Sequence, residues 1–274
     1  MRWAAPVAAL AVAACAAGTG CSGSAAPAPS SRATTAPAVR APATLAHRLA
    51  AADARLRALL DAWRRSDPAL RGAPSPATLA AAARERRLVF LLAHHPAQAR
   101  RTLAALSGRL RAAVRADLTA AHDLRALTGP PPATPLRLVP PAPAGRLLAD
   151  YRRAQRRFGV RWQLLAAVNL VESAFGRVVN RSGAGARGPM QFLPSTWRAY
   201  GLGGDIDSPR DAILGAANYL HRSGAPADER RALHAYNPSR LYVDAVLAYA
   251  NAMGRDRLAF LTYYAWEASL PGRV

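Results

Sequence analysis

The stretch Trp162-Gln-Leu-Leu-Ala-Ala-Val-Asn-Leu-Val-Glu172-Ser-Ala-Phe-Gly176 decides how this chain is read. It predicts a mostly apolar helix over about 161–175, stopped by Gly176. Residues three, four and seven apart stack on one helix face, so Glu172 shares its face with Leu165, Val168 and Asn169. Such surroundings strip water from a carboxyl and raise its pKa, as a general acid near neutral pH requires. Read alone, a glutamate near a helix end is more often an ordinary exposed one. The residues beyond Gly176 change that reading.

A polar loop comes next, Ser182-Gly-Ala-Gly185-Ala-Arg-Gly188-Pro-Met190-Gln191, and later Ala235-Tyr236-Asn237. Glycines let backbone amides come close to a flat sugar ring, and Gln191 can hydrogen-bond hydroxyls or an N-acetyl group. An acid facing such a loop is suited to protonating a leaving oxygen, which points to cleavage of a glycosidic bond. Glutamate is scarce, occurring only as Glu85, Glu172, Glu229 and Glu267. No second carboxylate stands obviously beside Glu172, whereas conventional glycosidases use a pair. Asp205, Asp207 and Asp244 remain open as partners.

Around this stretch the chain reads as helices throughout. Leu45, Leu49, Ala52, Leu56, Leu59 and Trp63 form one apolar seam, ended by Asp67-Pro68. A second helix runs from about Ala77 to His94. A third, with Leu103, Leu106, Leu110, Val114 and Leu118, runs to about Leu127. Together they predict a helical hairpin or small bundle, with arginines mostly off the seam on the solvated face of a spacer; a wall-binding or docking module is the alternative. Gly129 to Gly145 carries seven prolines and reads as a stiff linker. Beyond it lie all eight tyrosines and four of the five phenylalanines. Short helices are expected over about 146–157, from Ser195, from Ser208-Pro209, from Pro226 to Tyr236, over Leu241 to Met253 and over Arg257 to Leu270. There is no convincing alternating strand, although Val178 to Phe192 has room for a small β-hairpin. The fold class is therefore all-α. The segments are 1–21, 22–43, 44–128, 129–144 and 145–274: a leader, a tether, a helical accessory region, a linker and a catalytic domain.

The leader is Met1-Arg2-Trp3 followed by a short apolar run, the pattern of a secretory signal and too short for a comfortable membrane span. Both cysteines, Cys15 and Cys21, fall here, and each sits in a sequence resembling a bacterial lipobox. Lipid on either would tether the protein to the outer face of a membrane, in the cell envelope; plain cleavage and secretion is the alternative. Ser22 to Pro42 is built of Ala, Pro, Ser and Thr and suits an unstructured tether. All 37 basic residues are arginine, and the net charge is +21. That favours a polyanionic partner, although a GC-rich genome also inflates Ala and Arg. Export and the lack of a helix-turn-helix or aromatic–basic motif argue against nucleic acid. The histidines lack metal-helix spacing, and no phosphate loop occurs, so neither metal nor cofactor is called for. Gly203-Gly-Asp205-Ile-Asp207 offers too few oxygen ligands for a calcium site.

Glu172-Ser173, Ser182, Gly185-Ala186, Gly188-Pro-Met-Gln191 and Ala235-Tyr236-Asn237 together resemble the lytic transglycosylases of bacterial cell walls. The resemblance covers about Gly145 to Met253. Tyr236-Asn-Pro-Ser239 with Tyr242 looks more like the membrane-bound B branch. Pro189 replaces the family's usual leucine, and no glycine follows Asn237 as it does in the soluble branch. The resemblance implies a lysozyme-like fold and one catalytic acid, Glu172, acting on peptidoglycan glycan strands. It implies that Tyr236 holds Glu172 through its hydroxyl, and that Ser182 and Gln191 bind the N-acetyl group and sugar hydroxyls. Met190 packs beneath or lines the site, and Asn237 and Tyr242 support the structure or touch substrate. Cleavage would give a 1,6-anhydro end without water. A hydrolytic muramidase on the same fold, or a non-catalytic wall-binding protein, are the competing readings.

Overall fold

The computed structural model describes residues 44–128 and 135–270. The expected leader with Cys15 and Cys21, the tether and the start of the Pro-rich linker lie outside the described residues. Eleven helices are described: α1 (Leu45–Ser66), α2 (Pro76–His94), α3 (Pro96–Ala105), α4 (Gly108–Thr128), α5 (Ala144–Phe158), α6 (Trp162–Ser173), α7 (Pro194–Tyr200), α8 (Pro209–Arg222), α9 (Glu229–Tyr236), α10 (Arg240–Arg255) and α11 (Ala259–Ala268). The all-α expectation holds. Two isolated antiparallel bridges, Leu138 with Val178 and Arg187 with Phe192, are the extended pairings found among the described residues. The hairpin allowed for within Val178–Phe192 is thus a correction: it shrinks to the single Arg187–Phe192 pair. The chain turns immediately, with the Gln191 N–H on the Gly188 carbonyl at 3.0 Å, so no ladder can extend.

Several helix starts follow local chemistry. Ser75, Ser208, Asp228 and Ser239 each accept a backbone N–H three residues on, at the starts of α2, α8, α9 and α10. Pro76 and Pro209 occupy the first helical position, where a missing N–H costs nothing.

Helix α6 is the axis of the C-terminal part. Leu164 through Ser173 are all buried, which only a helix apolar on every side tolerates. Helices α5, α8 and α10 pack around it. Leu164, Leu165 and Val168 are fully enclosed, each contributing roughly 1.5–3 kcal/mol by leaving water. This packing fixes where Glu172 points.

The N-terminal helices do not stand apart as a spacer. α4 lies along α10, α2 packs on α11, and the buried side chains of α1–α4 belong to the same continuous core as those of α5–α11. Arginines read as a solvated face instead join the two parts. Arg57 reaches Asp256 at 2.5 Å and Arg109 pairs with Asp53 and Asp256, while from the C-terminal part Arg257 meets Asp61 at 3.2 Å. Gly145 donates its N–H to the Leu70 carbonyl at 3.1 Å, and a Cβ at Gly145 would lie 1.8 Å from the Ala69 oxygen. Only glycine allows α5 to start so close to the turn after α1.

The third predicted helix is broken in two. Leu106 is extended between α3 and α4, and Arg111 folds back to donate to the Leu106 carbonyl at 2.5 Å and the Ala104 carbonyl at 2.9 Å. Ser107-Gly108 was the sequence cue for this break. No described helix is long and apolar enough to cross a membrane.

Candidate active site

Helix α6 ends one residue after Glu172, and its ending shapes the site. Ala174 (φ 52°) and Phe175 (φ 62°) are left-handed, followed by Gly176 (φ 82°). For residues with a Cβ this costs roughly 1–2 kcal/mol each. Burial of the Phe175 ring against Phe260 (5.5 Å) and Tyr264 (6.0 Å) offsets it. The reversal sends the chain out to the Leu138–Val178 bridge and back through the glycine loop.

The returning loop is tied to the acid's own helix. The Pro189 carbonyl accepts the Ser173 hydroxyl at 2.5 Å and the Asn169 side-chain amide at 2.7 Å. Ser173 Oγ in turn accepts the Gly176 N–H at 2.8 Å. Asn169 Oδ1 accepts the Tyr151 hydroxyl at 2.6 Å, which carries the network to α5. These groups are buried and mutually satisfied, so the loop's position relative to Glu172 is fixed.

Glu172 itself is 6% exposed. Burial pushes its carboxyl up to about 8, and a hydrogen bond from the Tyr242 hydroxyl to Oε1, 2.7 Å long, opposes part of that rise. No neighbouring carboxylate contributes to the shift. The three aspartates left open as partners are engaged elsewhere: Asp244 with Arg230 at 2.6 Å, Asp207 with Arg187 at 3.3 Å, and Asp205 accepting the Asp207 N–H at 2.9 Å. A carboxyl that keeps its proton at neutral pH, with a phenol held to it, can give that proton up and take one back.

Two expectations change in detail. Tyr236 does not hold Glu172: its hydroxyl donates to the Met190 carbonyl at 2.6 Å, and Tyr242, one helix later, makes the bond to the acid. Glu172 lies within reach of α10, whereas Tyr236 ends α9 and reaches the loop instead. The two rings stack, 6.5 Å apart and 5° from parallel, and Phe192 and Tyr219 pack edge-on against Tyr236. Ser182, for its part, closes its own turn. Its hydroxyl accepts the Ala186 N–H at 2.9 Å, and its carbonyl accepts the Gly185 N–H at 2.8 Å.

Gln191 is left-handed (φ 47°) and donates its side-chain amide to the Gly188 carbonyl at 3.1 Å, while its Oε1 is buried without a partner among the described residues. Gly188 (φ 76°) is pressed against the neighbouring loop, where a Cβ would meet the Ile206 oxygen at 2.1 Å. Met190 is fully buried under the loop, and Asn237 is buried at the end of α9. The structure therefore gathers Glu172, Tyr242, Tyr236, Met190 and Gln191 through linked contacts. Tyr151 and the Pro189 carbonyl are parts of the support that the sequence reading missed. Nothing local in the sequence marks Tyr151, which lies 18 positions before the Asn169 it holds. Among the described residues no group of three or more His, Cys, Asp or Glu is placed to hold a metal ion.

Residues 151–259 match the family model of the Transglycosylase SLT domain. The match contains Glu172, the glycine loop and both site tyrosines, and leaves α1–α4 outside. A curated relative, the membrane-bound lytic murein transglycosylase F of Thiobacillus denitrificans (strain ATCC 25259 / T1), is 32% identical over 118 residues. That alignment takes in 40% of this chain and only 25% of the relative's length. No solved structure matches the chain. The SLT match agrees with the resemblance drawn from the motifs and with the all-helical fold. It does not sort the chain among the family's branches.

Proposed function

We propose that the protein is a peptidoglycan lytic transglycosylase, cleaving the β-1,4 bond between N-acetylmuramic acid and N-acetylglucosamine without water. The reading rests on one observation above all: Glu172 is a buried carboxyl held by the Tyr242 phenol, its pKa pushed up to about 8 by burial with no other carboxylate contributing. The SLT match over the same residues supports it.

In this mechanism Glu172 gives its proton to the glycosidic oxygen as the C1–O bond breaks, and the leaving sugar departs with a free hydroxyl. The substrate's own N-acetyl oxygen supports the electron-poor C1. Glu172, now a carboxylate, takes the proton of the C6 hydroxyl, whose oxygen bonds to C1 and closes the 1,6-anhydro ring. One C–O bond is broken and one formed, and the acid regains its proton. Tyr242 steadies the carboxylate between the two transfers. The unpartnered Gln191 Oε1 is suited to accept an N–H from the substrate, such as that of an N-acetyl group. Ser182 and Asn237 border the sugar, while Met190 and Tyr236 set the shape of the loop beneath it.

We place the protein in the cell envelope, exported by its leader and anchored through lipid on Cys21 or Cys15. Metabolic labelling with a radioactive fatty acid, repeated on Cys15→Ser and Cys21→Ser, tests the anchor. The reaction is tested by digesting purified peptidoglycan and weighing the fragments. Anhydro ends, 18 Da lighter than reducing ends by the mass of roughly one water, support the proposal. Reducing ends alone would make the protein a hydrolytic muramidase, and no release at all would leave a wall-binding role.

A further inference from the structure

A cavity of about 270 Å³ lies between α1, α2, α4 and the α10–α11 corner, lined by none of the residues around Glu172. Its walls are mostly apolar, with Val89, Leu110, Val114 and Trp266 among them. Four carboxyls also line it, and they fall into two kinds. Asp53 and Asp256 are compensated by arginine: Arg109 pairs with both, and Arg57 with Asp256. Glu85 and Asp117 have no such partner. Glu85 Oε2 accepts the Trp266 indole N–H at 3.0 Å, and Asp117 Oδ1 accepts the Tyr263 hydroxyl at 2.8 Å. Among the described residues the second oxygen of each has no hydrogen-bonding partner, although both side chains are at least nine-tenths buried.

We propose that this cavity is a binding site for a small organic cation, an ammonium group on an apolar body of about a dozen heavy atoms, with the ammonium seated between Glu85 and Asp117. The size sits just below the usual range for small-molecule pockets, about 300–1,000 Å³, so the occupant is a compact one. Apolar walls take the body. An ammonium has three N–H donors, enough to meet both free carboxyl oxygens. Of the two arginines at the wall, Arg109 is already held by Asp53 and Asp256, and Arg255 lies at the exposed end of α10. An anion would set its charge against Glu85 and Asp117, which no arginine pairs, and a neutral molecule without donors would leave their two free oxygens unmet. Burial pushes Glu85 up to about 8, with the charge of Asp53 adding to it, and burial pushes Asp117 up to about 7. On its own Glu85 therefore keeps most of its proton near neutral pH and Asp117 about half of its own, and a cation entering between them drives those protons out.

The test uses the full chain and three probes of one shape: 4-phenylbutylamine, 4-phenylbutanol and 4-phenylbutyrate. Calorimetry at pH 7.5 should find the amine at least about tenfold tighter than the alcohol, with the carboxylate weakest. Repeating the amine titration in buffers of different ionisation heat should show net proton release. Glu85→Gln combined with Asp117→Asn should remove the preference for amine over alcohol, and Val114→Trp, which fills the cavity, should abolish binding of both. Equal affinity for amine and alcohol, no proton release, binding that survives Val114→Trp, or no amine binding at millimolar concentration would each overturn the proposal. The probe comparison and the proton count need only the wild-type protein, so they decide the matter even where a variant fails to fold.

Discussion

Tyr242 donates its hydroxyl to Glu172 Oε1 across 2.7 Å, and both side chains are buried. This bond and burial pull the acid in opposite directions: burial raises its pKa, and the bond lowers it. Tyr242→Phe should therefore move the alkaline limb of the activity profile to higher pH, since the carboxyl then holds its proton more firmly. The maximal rate should drop at the same time, because the carboxylate left after the proposed first transfer has lost its donor. Rates of peptidoglycan turbidity loss from pH 5 to 10 check both effects. An alkaline limb that stays put would show that Tyr242 does not act on the acid.

Tyr236→Phe should behave differently. It strips the Met190 carbonyl of its partner inside the core and should destabilise the fold by about 1–3 kcal/mol. The pH limb of activity should not move. Chemical denaturation alongside the same pH series distinguishes this loop-supporting role from that of Tyr242.

Glu172→Gln keeps the shape and removes the proposed proton donor. Turnover should fall by at least about 10²-fold, while wall binding measured by co-sedimentation is retained. Digestion at the wild-type rate would remove Glu172 from the mechanism.

The same substitution carries a stability signature. The carboxyl titrates at about 8 in the folded protein and near 4.5 when exposed. Between those values the folded state keeps a proton that the unfolded chain has released, so stability falls as pH rises. Below about 4.5 the contribution is fully present, and it is lost through the window up to about 8. Glutamine does not titrate, so the melting temperature of Glu172→Gln should gain on the wild type steadily from pH 5 to 8.5. Scanning calorimetry at half-unit steps reads this directly, and parallel curves would contradict it.

Gly188→Ala should disrupt the loop. Its φ of 76° disfavours any side chain, and the new methyl would press on the Ile206 backbone oxygen. Because the Pro189 and Met190 carbonyls anchor the loop to Ser173 and Tyr236, displacement should cut activity about 10²-fold even where the protein still folds. Gly183→Ala, a position with open space around its α-carbon, is the control expected to stay active.

The acid and its helix were legible because a mostly apolar run ending in a glutamate is a local pattern, and so was the capped helix start at Ser208; the Ser239 cap emerged only from the structure. The partner of the acid was not. Tyr236 and Tyr242 lie six positions apart on different helices, and only the packing of α9 and α10 decides which phenol reaches Glu172. The link from α1 and α4 to α10 and α11 was equally hidden, since Arg57 and Asp256 meet across 199 positions. Helical periodicity marks an apolar face but not what covers it. The missed break at Leu106 has a different cause: the leucine spacing runs straight through Ser107-Gly108, and the side chain that stabilises the corner, Arg111, looks like any other surface arginine.

The close seat of Gly145 against Ala69 and Leu70 bears on how the protein comes apart. Helices before and after the proline segment hold one another's apolar sides, so neither half keeps a closed interior once the other is gone. Melting should accordingly be a single cooperative event, and proteolytic nicking between the halves should not liberate a self-sufficient C-terminal fragment.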